Sequence, residues 1–205
     1  AMATASTYPI TVALPEEREV NRWWGLLWFG MMVRAILAIP HMIVLMVLGL
    51  LMGLGLYIVW IPILINGKVP ALWCKIVKEI IARETRVSAY VLLFPGAYPA
   101  LGWGEAGPVA VAIDEGDRSI NRWWGIPLLG LLARLIVVIP QLIVLFVLEI
   151  VLYLVVLVLW IPILINGRYP ELAMKLVGMF LKYNARVSGY ASLLPVPYPP
   201  IGELG

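Results

Sequence analysis

Charge is scarce in this 205-residue chain: only 13% of residues are Asp, Glu, Lys or Arg, about half the fraction of a soluble globular domain. There is one cysteine, Cys74, one histidine, His41, and two aspartates, Asp114 and Asp117. A lone cysteine excludes an intramolecular disulfide and a thiolate cluster. A lone histidine excludes a zinc site built on two or more imidazoles, and a bis-histidine haem. What is abundant is hydrophobic surface, 62% of residues, with a net charge of only +3. This composition implies a membrane protein, and it argues against disorder, nucleic-acid binding as the main activity and a water-soluble enzyme core. No catalytic, metal or cofactor site is expected, and the chain reads as non-enzymatic.

The chain repeats itself at an offset of 100. Asn21-Arg22-Trp23-Trp24-Gly25 returns as Asn121-Arg122-Trp123-Trp124-Gly125, and Trp60 to Gly67 returns unchanged as Trp160 to Gly167. Arg86-Val87-Ser88 with Tyr90 returns as Arg186-Val187-Ser188 with Tyr190, and 37 of the 82 positions from 21 to 102 are identical to their counterparts. This pattern predicts two tandem units, 1–100 and 101–205, packed pseudo-symmetrically. Each unit has an extended opening strand (Tyr8 to Leu14; Val109 to Ile113), an apolar run of about 40 residues, a more charged segment (70–93; 170–193) and a Pro/Tyr-rich exit.

About 40 apolar residues is too long for one span and suits two. Pro40 and Pro140 break the helical ladder, so each run is predicted to fold back there, as transmembrane hairpins 22–66 and 122–166. Hairpins gather the basic residues outside the runs on one face, which by the positive-inside rule makes both termini cytoplasmic. Trp23, Trp24, Trp60, Trp123, Trp124 and Trp160 then become interfacial anchors. The segments 70–93 and 170–193 place Lys75, Lys78, Arg83 and Arg86, and Lys175, Lys182 and Arg186, opposite an apolar face. That suits either an interfacial helix touching anionic headgroups or a helix packed on a neighbouring protein. Cys74 on the first of these helices is either a palmitoylation site or inert packing. The expected fold class is therefore all-α integral membrane protein: two tandem repeats, each a helical hairpin and an interfacial amphipathic helix, with short extended segments at the start. Ala1 to Thr7 has no basic n-region, so no cleavable signal is expected.

Ionisable groups inside an apolar run are functional candidates by default. Arg34 and Arg134 lie close enough to the expected tips to snorkel. Glu149 lies near the middle of its run, and Arg134 on the adjacent arm is its expected ion-pair partner, with a proton or ion relay as the alternative. Gly49 and Gly53 form a small-xxx-small spacing that permits close helix approach. Unit two has Glu149 and Tyr153 there, so these positions are expected to fix the packing of the halves.

The motif set Tyr8-Pro9, Asn21-Arg22, Ile39-Pro40-His41, Trp60, Ile63-Leu64, Gly67-Lys68-Val69-Pro70, Arg86-Val87 with Tyr90, and Tyr98-Pro99 resembles DUF4389, a family of uncharacterised prokaryotic membrane proteins. The second copy offers Asn121-Arg122, Ile139-Pro140-Gln141, Trp160, Gly167-Arg168-Tyr169-Pro170, Arg186-Val187 with Tyr190, and Tyr198-Pro199-Pro200, lacking the opening Tyr-Pro and the histidine. The resemblance implies a fold type and location in a prokaryotic cytoplasmic membrane, or one derived from it, and carries no known catalytic activity. The leading functional expectation is a structural membrane protein that self-assembles or scaffolds a larger membrane complex and shapes curvature, in contact with anionic lipids, as a homo-oligomer or with other membrane subunits. One alternative is a channel or carrier subunit using Glu149 and Arg34 or Arg134. Another is an accessory subunit of a pigment or redox complex through His41, a role weakened by Gln141 in the second unit.

Overall fold

Where water is absent, a backbone satisfies its own polar groups most simply as a helix, and the two apolar runs do this without interruption. The computed structural model describes residues 8–26, 29–102, 107–126 and 129–201; Ala1 to Thr7, expected to carry no cleavable signal, lie outside the described residues. Its elements are strand β1 (Ile10–Ala13), helices α1 (Phe29–Asn66) and α2 (Ala71–Val91), strand β2 (Ala110–Ile113), and helices α3 (Leu129–Asn166) and α4 (Glu171–Ala191). One-turn 3-10 helices at Arg22–Gly25 and Arg122–Gly125 precede α1 and α3, each with an Asn side chain (Asn21, Asn121) accepting from the backbone N–H of the first tryptophan of the pair, Trp23 or Trp123.

The expected fold-back at Pro40 and Pro140 is corrected: α1 and α3 are single helices of 38 residues that run through Pro40 and Pro62, and through Pro140 and Pro162. Proline in a helix interior costs about 3 kcal/mol when its freed carbonyls stay unpaired. In the turns before Pro40 and Pro140 a carbonyl receives an outside donor. The Tyr98 hydroxyl donates to the Leu37 carbonyl at 3.0 Å, and the Tyr198 hydroxyl to the Val137 carbonyl at 3.1 Å. The reversal lies instead at 67–70 and 167–170. Gly67 and Gly167 end the long helices in the left-handed region, at φ +65° and +64°, where glycine carries no Cβ penalty. Pro70 and Pro170 then stand at the N-caps of α2 and α4.

The two halves interlock reciprocally. Val20 N–H donates to the Gly167 carbonyl and Ile120 N–H to the Gly67 carbonyl, each at 3.0 Å. A Cβ on Gly25 would lie 2.5 Å from the Leu164 nitrogen, and one on Gly125 2.6 Å from the Leu64 nitrogen. Only glycine lets each 3-10 turn approach the end of the other half's long helix that closely. The start of each long helix therefore sits by the end of the other, so α1 and α3 run antiparallel. Strands β1 and β2 pair antiparallel with Ile10 opposite Ile113. Helices α2 and α4 also pack antiparallel: Trp73 Nε1 donates to Ser192 O at 2.9 Å near one end, Tyr169 Oη to Leu92 O at 2.9 Å near the other, and Asn184 Nδ2 to Glu84 Oε1 at 3.2 Å between them.

The result is layered. Helices α2 and α4 form the middle, packing with α1 and α3 on one side and with β2 and β1 on the other. Trp73 and Val87 of α2 turn toward α1 residues such as Gly55 and Met42, whereas Lys78 and Arg86 on its opposite face meet Glu115 and the Val109 carbonyl flanking β2. The amphipathic helices are thus covered on both faces by the protein itself. On α1 the buried side carries Arg34, Ala38, His41, Leu48, Val59 and Ile63. The opposite side is exposed and apolar along its whole length, including Phe29, Ile36, Ile43, Leu50, Leu54 and Ile65, and α3 repeats this arrangement except at the exposed Glu149. Both are long and apolar enough to cross a bilayer.

Candidate functional site

Two features stand out against an apolar background: a row of polar groups sealed under the inner faces of α1 and α3, and a basic rim where each long helix ends.

In the first half, Arg34 is 3% exposed. Its guanidinium carbon lies 4.8 Å from the ring centroids of both Trp24 and Tyr90, and Nη1 donates to the Tyr90 and Phe94 carbonyls at 3.2 Å. Arg134 is 2% exposed, 5.5 Å from Trp124 and 4.1 Å from Tyr190, and donates to the Leu194 carbonyl at 3.1 Å. A weakly hydrated, planar cation on aromatic faces is the form in which a charge is most easily buried. Each arginine ties the start of a long helix to the exit of its own half. Two turns further, His41 and Gln141 are fully buried. Gln141 accepts a hydrogen bond from the Tyr183 hydroxyl and donates to the Pro199 carbonyl at 3.0 Å. His41 faces the Pro99 carbonyl without full hydrogen-bond geometry and lies 4.9 Å from the Tyr98 ring.

The expected Arg134–Glu149 pair does not form. With α3 a single helix the two are fifteen residues apart, about 22 Å along the axis, and Arg134 faces inward. Glu149 is exposed and accepts from the Tyr153 hydroxyl at 3.2 Å. The expected close approach at Gly49 and Gly53 is also corrected, since nothing lies within 4 Å of a Cβ built at either. The close contact belongs to Gly55, whose added Cβ would meet the Trp73 ring at less than van der Waals distance; it was missed because Trp73 has Ala173, not another large residue, as its counterpart. Glu149 and Tyr153 instead border a cavity of about 340 Å³ together with Met42 and Val87.

The expected headgroup contacts divide. Lys75 and Lys175 are exposed, the latter 3.1 Å from Glu171, and Lys182 is partly exposed. Arg83 and Arg186 are buried, which corrects their expected role. Arg83 donates to the Leu101 and Gly102 carbonyls at 2.8 and 3.0 Å, and Arg186 lies 5.1 Å from the Tyr8 ring. Lys78 pairs with Glu115 at 2.6 Å, and Arg86 donates to the Val109 carbonyl. The Lys78 hydrogen bond holds the Glu115 carboxyl below the usual carboxylate range. Cys74 is buried beside it, and burial together with the Glu115 carboxylate pushes its thiol up to about 11. Such a thiol is inert packing, not an acylation site.

Of the expected anchors, Trp23 and Trp123 are each 73% exposed. Trp24 and Trp124 cover the buried arginines, and Trp60 is partly buried with its indole donating to the Tyr57 carbonyl. Around Trp23, the exposed Arg18, Arg22 and Arg168 gather at the end of α3, where a polar crevice of about 510 Å³ is lined by Asn21, Arg22, Asn166 and Arg168. Around Trp123, Lys68, Arg118 and Arg122 gather at the end of α1, joined by the Lys68–Ser119 bridge.

The inward-facing polar row, the Tyr-Pro exit and the Gly-[Lys/Arg]-x-Pro turn are the motifs that recur in both halves, and in the second half they fall inside one recognised domain. Residues 129–201 match the model of DUF4389, a domain of unknown function. No curated protein and no solved structure matches the chain. The DUF4389 segment comprises α3, α4 and the exit that closes over Arg134 and Gln141, so the groups it contains act on one another. Among the described residues, no cluster of three or more His, Cys, Asp or Glu is placed to hold a metal ion.

Proposed function

We propose that this chain is a non-enzymatic, structural integral membrane protein, built by tandem duplication of one DUF4389-like unit into two pseudo-symmetric repeats. It resides in a prokaryotic cytoplasmic membrane, or one derived from it, with both termini on the cytoplasmic side. There it self-assembles or scaffolds a larger membrane complex, contacts anionic lipids and shapes curvature. The observation that carries this reading is the outer face of α1 and α3. Apart from Glu149 and the terminal Asn66 and Asn166, its exposed described side chains are apolar or tyrosine. Apolar surface on this scale exceeds what a soluble monomer leaves in water. Apart from Glu149, the polar groups Arg34, Arg134 and Gln141 are turned inward and engaged with backbone carbonyls, which favours a structural role over a conducting one. Reconstitution into anionic liposomes followed by electron microscopy and native mass spectrometry tests it. Tubulated or strongly remodelled vesicles, with oligomers, are expected; unchanged round vesicles containing monomer would overturn it.

A further inference from the structure

The membrane reading leaves open how the long helices sit, and the geometry points to one answer: we propose that α1 and α3 lie flat in a single leaflet, as a monotopic slab, and do not cross the bilayer. This rests on the proposal that the apolar face enters lipid, and it commits that face to one occupant, a leaflet rich in anionic headgroups.

Three observations carry it. The first is length. The exposed apolar stripe of α1 runs from Phe29 to Ile65, about 54 Å at a rise of about 1.5 Å per residue, whereas a bilayer offers roughly 30 Å of hydrocarbon. An upright helix would leave nearly half the stripe in water or headgroups. The stripe is also one-sided, with Arg34 and His41 on the opposite, buried side, as suits a helix that meets lipid along one flank.

The second is the layer order. Because Trp73 lies by Gly55 and Val87 by Met42 of α1, and Lys78 and Arg86 between them reach Glu115 and the Val109 carbonyl on either side of β2, upright helices would hold β1, β2 and the Lys78–Glu115 pair level with the hydrocarbon. Asp114, exposed and next to Glu115, would lie in the same place. Charged groups at that depth are costly. With the slab flat, the same groups stand on the far side of α2 and α4, in water.

The third is the placement of polar groups on the slab itself. Glu149 is exposed twenty residues into α3, so an upright α3 would place it near the bilayer centre, where its hydrogen bond among the described residues is from the neutral Tyr153 hydroxyl. In a flat slab it lies at the shallow depth of the headgroup boundary. Trp23 and Trp123, with Arg22, Arg168, Lys68 and Arg122 around them, then mark the two ends of the slab at that boundary, where tryptophan and basic residues are favoured. A slab inserted about 5–10 Å into one leaflet expands that leaflet alone, which is a physical route to the curvature proposed above.

Oriented circular dichroism and polarised infrared spectroscopy on the unmodified protein, in aligned bilayers of phosphatidylglycerol and phosphatidylethanolamine, read the helix direction without any substitution. Helix axes in the membrane plane are expected. Axes near the bilayer normal would overturn the flat seating while leaving the membrane reading intact. Protein that does not incorporate into the bilayers would overturn both. The basic rim has its own arm: in Lys68→Glu/Arg168→Glu protein, the preference for spin-labelled phosphatidylglycerol over phosphatidylcholine should fall at least about fivefold, from roughly 1 kcal/mol per basic residue at an anionic surface. An unchanged preference would overturn the assignment of anionic lipid to that rim.

Discussion

The pocket beneath α1 and the pocket beneath α3 hold the same arginine and a different neighbour. Arg34 and Arg134 are both clasped by a tryptophan, a tyrosine and exit-segment carbonyls. Two turns on, the first half has His41 with Arg83 nearby, and the second has Gln141 bonded by Tyr183. The shared arginine marks what both halves need, a tie between the long helix and the exit. The differing neighbour marks what each half solves separately. The neighbour changes together with its own counterpart partner, Arg83 in the first half and Tyr183 in the second, so the imidazole is not a feature the two halves share.

The largest test of that equivalence removes the arginine. Arg134→Ala should lose about 2–4 kcal/mol of stability, from a charged hydrogen bond and a desolvated cation–π contact, read as the midpoint of unfolding in detergent. Arg34→Ala should lose a similar amount. A large loss in one half with almost none in the other would show that only one half carries the tie.

Exchanging the neighbours sharpens the difference. Gln141→His gives up the bonds to Tyr183 and Pro199 and should cost about 1–3 kcal/mol. The reverse exchange, His41→Gln, gives up no full hydrogen bond and should stay within about 1 kcal/mol. Equal losses from both exchanges would mean that the imidazole is held as tightly as the amide.

These contacts also show which parts of the fold were legible in sequence. The opening strands and the 70–93 and 170–193 helices depend on local residues, and they stand near where the motifs place them. The fold-back at Pro40 did not form because the compensating donor, Tyr98, is 58 residues away in sequence and touches the disturbed turn only after α2 has returned along α1. The Glu149–Arg134 pair failed for the same reason: it assumed two adjacent arms, and a continuous α3 separates the two residues and turns the arginine inward. Arg83 and Arg186 read as headgroup contacts because a helix covered on both faces by its own chain has the same amphipathic pattern as one lying on a membrane. The pattern specifies two environments and not which matter supplies them.

The smallest effects concern two carboxylates, one in each half, whose counterpart positions are not acidic: Glu84, whose counterpart is Asn184, and Glu115, whose counterpart is Pro15 and whose partner Lys78 is matched by Gly178. Burial pushes the Glu84 carboxyl up, against the Asn184 hydrogen bond that lowers it. A group raised in the folded state lends stability below its unfolded value and loses it as pH rises through the folded one. Lys78 holds Glu115 down, so its contribution is present above the unfolded value and lost as pH falls through the folded one. Glu84→Gln should therefore raise stability at neutral pH and lose that advantage in acid, while Glu115→Gln should lower it at neutral pH with no penalty in acid, both by less than the Arg134 loss. Unfolding midpoints measured from neutral pH down through the carboxylate range check the two signs together. If both variants shift in the same direction, the opposing environments assigned to Glu84 in the α2/α4 seam and to Glu115 beside Lys78 are wrong.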